Sequence, residues 1–183
     1  MNEILQSIQQ RRSAMAFSPE PIPNEHLIQL FRAAILAPSA YNEQPWLFYV
    51  ANRENATAFE NVLSALAPAN QEWAKSAGAL VVTAARKNYT RTGESNYYAL
   101  HDLGMATAMF LVQAQSMGYV THMMGGFDHI SIRRAIKLDD GYQIGAVIAL
   151  GKPGSIENLN PQNKQRELSP RIRLDLEKVL RVL

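Results

Sequence analysis

Between Tyr98 and Met117 the chain is apolar nearly all the way round a helix, with Leu100, Leu103, Met105, Met109, Phe110, Leu111 and Val112 on several faces. Such a helix cannot rest on a surface with one stripe turned inward. It has to be buried on several sides, either centrally in one fold or between two subunits. Gly118 ends it as a C′ residue, where the left-handed conformation carries no steric penalty. The rest of the chain must be arranged around this element. With 183 residues, 47% hydrophobic and 19% charged, there is enough apolar surface for one core and a single domain over residues 1–183.

Helices and strands alternate on both sides of it. Asn2–Gln10 reads as a short helix capped by Asn2, with Ile4, Leu5 and Ile8 on one face. The prolines of Ser18–Pro23 force an extended segment. Asn24 caps a helix carrying Leu27, Ile28, Leu30, Phe31, Ala34 and Ile35, stopped by Pro38. Trp46–Ala51, Ala79–Ala85, Tyr119–Met123 and Gly145–Leu150 are strand candidates, and Ala56–Leu66 and Asp128–Lys137 are helical. Lys152–Leu168 reads as an extended polar tail that wraps its own domain or reaches a partner. Ser169-Pro170 then offers an N-cap and N1 proline for a last helix, Arg171–Leu183. The interleaving predicts one α/β or α+β domain.

Composition removes many chemistries. Cysteine is absent, which excludes disulfides, thiolate catalysis, zinc–thiolate sites and iron–sulfur clusters. The four histidines, His26, His101, His122 and His129, form no metal-binding pair at helical spacing. His101-Asp102 are adjacent, and neighbours on a helix point in different directions. No nucleophile elbow, phosphate loop or dinucleotide fingerprint occurs. Eighteen Lys and Arg against sixteen Asp and Glu leave a net charge of +2 with no basic stripe, so nucleic acid is not an expected partner. No apolar run reaches membrane-spanning length and the first ten residues lack a signal-peptide core, so a cytoplasmic protein is expected.

What remains is a set of anion-binding and amide features. Arg11-Arg12-Ser13 offers two cations and a hydroxyl after a short helix, a pattern shared with ordinary solvated arginines at a helix C-terminus. Ala37–Trp46 (APSAYNEQPW) puts Ser39, Asn42 and Gln44 into a polar turn before a rigid Pro-Trp strand entry. Such a segment either binds a ligand or simply reverses the chain. Gly125-Gly126 is an ordinary turn unless other features converge on it.

Together these segments resemble the nitroreductase family of FMN-dependent oxidoreductases. Arg11-Arg12-Ser13 is similar to the family's Arg-x-Ser element, and Ala37–Trp46 reproduces its A-P-S-x-x-N-x-Q-P-W signature. Asn70 stands where the family places a flavin-contacting Asn. Gly125-Gly126-Phe127-Asp128 matches its second glycine turn, and Lys164-Gln165-Arg166 a late basic K-x-R element. The resemblance implies an α+β fold, a central mainly antiparallel sheet flanked by helices, in an intertwined homodimer with FMN between subunits.

Carried onto this chain, the resemblance makes Arg11, Lys164 and Arg166 a phosphate clamp, with Arg12 and Ser13 toward the ribityl chain and pyrimidine edge. Pro38, Ser39, Ala40 and Asn42 would meet the flavin from the partner subunit, while Gln44 fixes its own turn. Asn70 and Gly126 would line the ring, and the Gly125 backbone N–H would approach N5, the hydride acceptor. Met15 stands where many relatives, and Trp73 where some relatives, carry cations near the N1–C2=O edge. Tyr41, Tyr97, Phe110 and Phe127 are candidates for stacking on substrate, and equally for core packing. No side chain need act as acid or base. The implied activity is ping-pong reduction of a nitroaromatic, quinone or similar small acceptor by NADH or NADPH. The alternative is a flavin-binding redox sensor or assembly subunit with little turnover.

Overall fold

The computed structural model describes residues 4–183. Its centre is β3 (Ala79–Arg86), where seven of eight positions are buried. The apolar run ALVVTAA suits a strand covered on both faces. Leu80, Val82 and Ala84 point into one core cluster, and Ala79 and Val81 into another. β3 pairs antiparallel with β2 (Trp46–Asn52) on one side and with β5 (Tyr142–Pro153) on the other. β5 is long enough to carry two further antiparallel partners, β4 (Val120–Met124) and the short β1 (Phe17–Ser18).

Helices cover both faces of this sheet. On one side lie α2 (Asn24–Ala34) and α5 (Ala99–Ser116), whose Leu27, Leu30, Phe110 and Ala114 close over Val81 and Ile148. On the other side α3 (Ala56–Leu63), α4 (Pro68–Ala74) and α6 (His129–Ala135) supply Phe59, Val62, Trp73 and Ile132. Asp128 caps α6, accepting from the Ile130 and Ser131 amides at 3.3 and 3.0 Å. Those bonds hold its carboxyl below the ordinary range. Gly118 takes φ +78° after α5, as a C′ residue should. The expected α+β fold with an antiparallel sheet is what the chain forms.

Several boundaries differ. α1 spans only Gln6–Gln10 with no side-chain cap, and the proposed cap Asn2 lies outside the described residues. Pro23, not Asn24, holds the N-cap position of α2. α4 begins on Pro68 at its first turn, and Lys152–Leu168 is not an extended tail. It completes β5 and then forms α7 (Pro161–Leu168), where the Asn160 side chain accepts from the Asn163 amide at 2.8 Å. Asn160-Pro161 is the pairing of cap and N1 proline that folds, and Ser169 becomes the end of that helix. Beyond it only Leu176–Val179 (α8) is helical. Arg171, Arg173 and Asp175 alternate with Ile172, Leu174 and Leu176, a period of two that suits extended chain rather than helix.

Candidate flavin site

The chain leaves α1 and runs beside β4, with Ser13 bridged to Thr121 and the Ala14 amide donating to the Thr121 carbonyl at 3.1 Å. Here Arg11 meets two further arginines. Arg171 Nη1 donates to the Arg11 carbonyl at 2.7 Å. Burial, followed by the charges of Arg173 and Arg171, pushes the Arg11 guanidinium below its ordinary pKa. None of these three arginines is in an ion pair among the described residues. Like charges gathered without a carboxylate are costly unless an anion joins them. This arrangement suits a phosphate.

Lys164 and Arg166, expected beside Arg11 in a phosphate clamp, are linked to it by no hydrogen bond or ion pair among the described residues. Lys164 is paired with Glu157 at 2.5 Å, and Arg166 is exposed on α7 with no ion pair among the described residues. Arg171 and Arg173 come beside Arg11 as the extended arm passes it. Arg12 turns the other way, binding the Glu167 carboxylate at 3.1 Å and also its carbonyl. Glu167, buried on α7, accepts from the Met15 amide at 2.6 Å.

Met15 offers no exposed group. Its side chain is buried in the core cluster that also holds Trp73. The Trp73 ring lies 6.1 Å from Phe17 and 4.5 Å from His122. His122 Nδ1 donates to the Ala14 carbonyl at 3.0 Å, and burial pushes its pKa below the ordinary value. Where cations were compared with Met15 and Trp73, the chain has apolar packing.

At the end of β4, Gly125 and Gly126 are exposed. The Gly126 carbonyl accepts from the Ala67 amide at 2.9 Å and from Asn70 Nδ2 at 3.1 Å. A Cβ on Gly126 would come within 3.0 Å of Asn70 Nδ2 and 3.3 Å of Ala67 Cβ, so a side chain there would press on α4 and its Asn70 amide. A Cβ on Gly125 would meet no protein atom within 4 Å. The structure brings Asn70 and the glycine turn together. Phe127 packs beside the core and lies 4.6 Å from the His129 ring.

The turn of residues 37–46 is anchored elsewhere. The Ala40 amide donates to buried Asp102 Oδ2 at 2.9 Å, and the Gln44 amide donates to Ser39 Oγ at 3.0 Å. Gln44 Nε2 reaches the Asn42 carbonyl, so Gln44 does fix its own turn. Tyr41, Asn42 and Gln44 take φ of 52°, 56° and 48°, left-handed values that non-glycine residues adopt only when their surroundings hold them. Glu43 helps, accepting from Thr90 at its amide (3.0 Å) and hydroxyl (2.5 Å), and the Thr90 bonds hold its carboxyl below the ordinary range. Pro38 and Asn42 are exposed, and Ser39 and Ala40 half-buried.

Asp102 also corrects the expectation that His101 and Asp102 point apart, since His101 Nδ1 lies 3.0 Å from Asp102 Oδ1. With Oδ2 held by Ala40, Oδ1 remains open to its neighbour. Of the aromatic candidates, Phe110 is fully buried at 5.2 Å from Phe31 and belongs to the core. Tyr97 and Tyr41 are 91% and 73% exposed.

No hydrogen bond or ion pair among the described residues links the turn of residues 37–46 to the arginine cluster or to the glycine turn. One chain thus carries these features on separate anchors. The family model described as the Nitroreductase family matches residues 8–152. The chain belongs to the nitroreductase family. It is 28% identical to Protein DrgA of Synechocystis, over 80% of this chain and 82% of that protein. A protein of Archaeoglobus fulgidus with the provisional name NADH dehydrogenase/NAD(P)H nitroreductase is 27% identical, over 84% of this chain and 87% of its own length. A solved structure described as an oxidoreductase containing FMN superposes with a TM-score of 0.91 at 30% identity, covering 98% of this chain and 91% of that one.

Proposed function

We propose that this nitroreductase-family chain is an FMN-dependent oxidoreductase that takes reducing equivalents from NADH or NADPH and passes them to a small electron acceptor. The observation that carries the reading is the cluster of Arg11, Arg171 and Arg173, which fits the phosphate dianion of FMN. The names of the relatives and the FMN of the 30%-identical structure support the same cofactor and donor. Each charge-assisted bond to phosphate contributes about 1.5–3 kcal/mol, so three arginines give tight non-covalent retention.

The other residues divide the remaining work. Ser13 and Asn70 offer polar groups to the ribityl chain and pyrimidine edge, and Gly125 and Gly126 leave the backbone bare for a flat ring. Pro38, Ser39, Ala40 and Asn42 would come from a second copy. In support of a homodimer, α5 exposes Leu100 and Met109, and the C-terminal arm exposes Ile172, Leu174, Leu176, Val179 and Val182. A second copy would cover this surface and bring the separate parts of the site together.

When bound, the flavin supplies hydride transfer, accepting from the nicotinamide and donating to the acceptor. The protein then has to bind, orient and exclude water, and no side chain need serve as acid or base. Donor and acceptor would use one open face in turn, which is a ping-pong scheme, with quinones and nitroaromatics as acceptors. The second reading, a flavin-binding sensor with little turnover, draws on the burial of Met15 and Trp73. Without a cation at that edge, reduced flavin loses a stabilising charge.

The test is anaerobic spectroscopy of the purified protein. The proposal expects a yellow protein, bleached by NADH or NADPH and recoloured by a quinone in a separate half-reaction. A colourless protein that takes up no FMN overturns it. A yellow protein that neither donor bleaches is the sensor.

A further inference from the structure

The strained turn presents Tyr41 outward, and the guanidinium of Arg91 lies over its ring at 4.2 Å from the centroid. The Tyr89 ring stands edge-on to Tyr41 at 6.1 Å. Tyr98 continues the patch, half exposed and 6.2 Å from the His101 ring. The carboxylates beneath are already committed. Glu43 serves Thr90 and Arg86, and Asp102 serves Ala40 and His101. Arg91 is in no ion pair among the described residues, with Glu94 of the same loop or any other acid. An arginine stacked on a ring uses its face, which leaves its planar N–H edge able to grip a carboxylate with two bonds.

We propose that Arg91, Tyr41 and Tyr89 form a subsite for a planar aromatic ligand bearing a carboxylate, so that anionic aromatic acceptors are the preferred substrates. The use of that ligand as an acceptor rests on the proposed function. Its binding rests on the patch itself. The rings supply flat apolar surface, and Arg91 selects the charge. A cation held only to brace the loop would make no such distinction.

The experiment is calorimetric titration of the purified, flavin-loaded protein with benzoate and, separately, with neutral benzamide. Benzoate is expected to bind about tenfold more tightly, the ratio given by one added charge-assisted contact. Arg91→Gln should remove the difference by weakening benzoate alone. Arg91→Lys should keep part of it, since an ammonium retains charge and loses the flat fork. Equal binding of the two ligands by the unaltered protein overturns the subsite, as does a benzoate preference that survives Arg91→Gln. A rise in KM for NADH or NADPH in Arg91→Gln with benzoate affinity unmoved assigns the cation to the donor and also overturns it. Heat of binding does not depend on turnover. Selective benzoate binding lost in Arg91→Gln, in a protein that neither donor reduces, would support the subsite while overturning the proposed oxidoreductase.

Discussion

β3 and the C-terminal arm are opposite solutions to the same apolar content. In β3 the apolar residues are buried by helices on both faces and hydrogen-bonded to strands on both sides. In the arm, Ile172, Leu174 and Leu176 are 81%, 67% and 67% exposed, although they are as hydrophobic. The sheet and its two helical layers close without the arm. The arm gives no residue to the core clusters, and its use lies in the proposed flavin site, because it carries Arg171 and Arg173 to Arg11. Its apolar side chains suit a surface that a second copy would supply.

The sharpest way to break this contrast is to delete residues 170–183. We expect cooperative unfolding to survive, as followed by circular dichroism. FMN affinity should fall by on the order of a hundredfold or more, as two phosphate contacts are lost. Loss of folding would mean that the arm belongs to the core.

The converse change is Leu80→Ala in β3, where the side chain is fully buried. It should cost about 2–5 kcal/mol in denaturant unfolding through lost burial and a residual cavity. FMN affinity of the folded fraction should stay unchanged.

Arg173→Ala is a narrower version of the deletion. It should weaken FMN roughly ten- to hundredfold in a fluorescence-quenching titration, with melting temperature of the flavin-free protein unaltered or slightly raised as repulsion on Arg11 is relieved. The smallest effect concerns His122. Its folded pKa lies below its ordinary 6.5, so the unfolded chain binds the proton more readily. Stability should be flat above about pH 7 and fall as pH drops through about 6 toward the folded pKa. His122→Gln should lose this part of the acid sensitivity, as read from unfolding midpoints across that range.

The parts of the fold that were legible in sequence are those governed by local period. β3, β5 and α5 announce themselves by apolar runs or by helical spacing closed with Gly118. α4 and α7 were missed because each is barely two turns and starts on a proline, which reads as a break as readily as a beginning. The arm was misread because Ser169-Pro170 imitates a helix start, although the following residues alternate with a period of two. In the candidate site, the turn of residues 37–46 and the glycine pair were visible as short motifs, and Asn70 only through the family resemblance. Asp102, Glu167 and Arg91 were not, since their partners lie 62, 152 and 50 positions away or nearly so in sequence. Lys164 and Arg166 have the right spacing as a motif, while the residues whose charge or hydrogen bond reaches Arg11 are Arg171 and Arg173.

The proposed flavin site turns on Arg11, Arg171 and Arg173 gripping a phosphate. FMN and riboflavin share ring and ribityl chain and differ by that group alone, so their relative affinity for the flavin-free protein tests it most directly. FMN should bind at least about a hundredfold more tightly than riboflavin, and Arg173→Ala should narrow the gap by weakening FMN only. Equal affinities for the two flavins, or a gap untouched by Arg173→Ala, would contradict it.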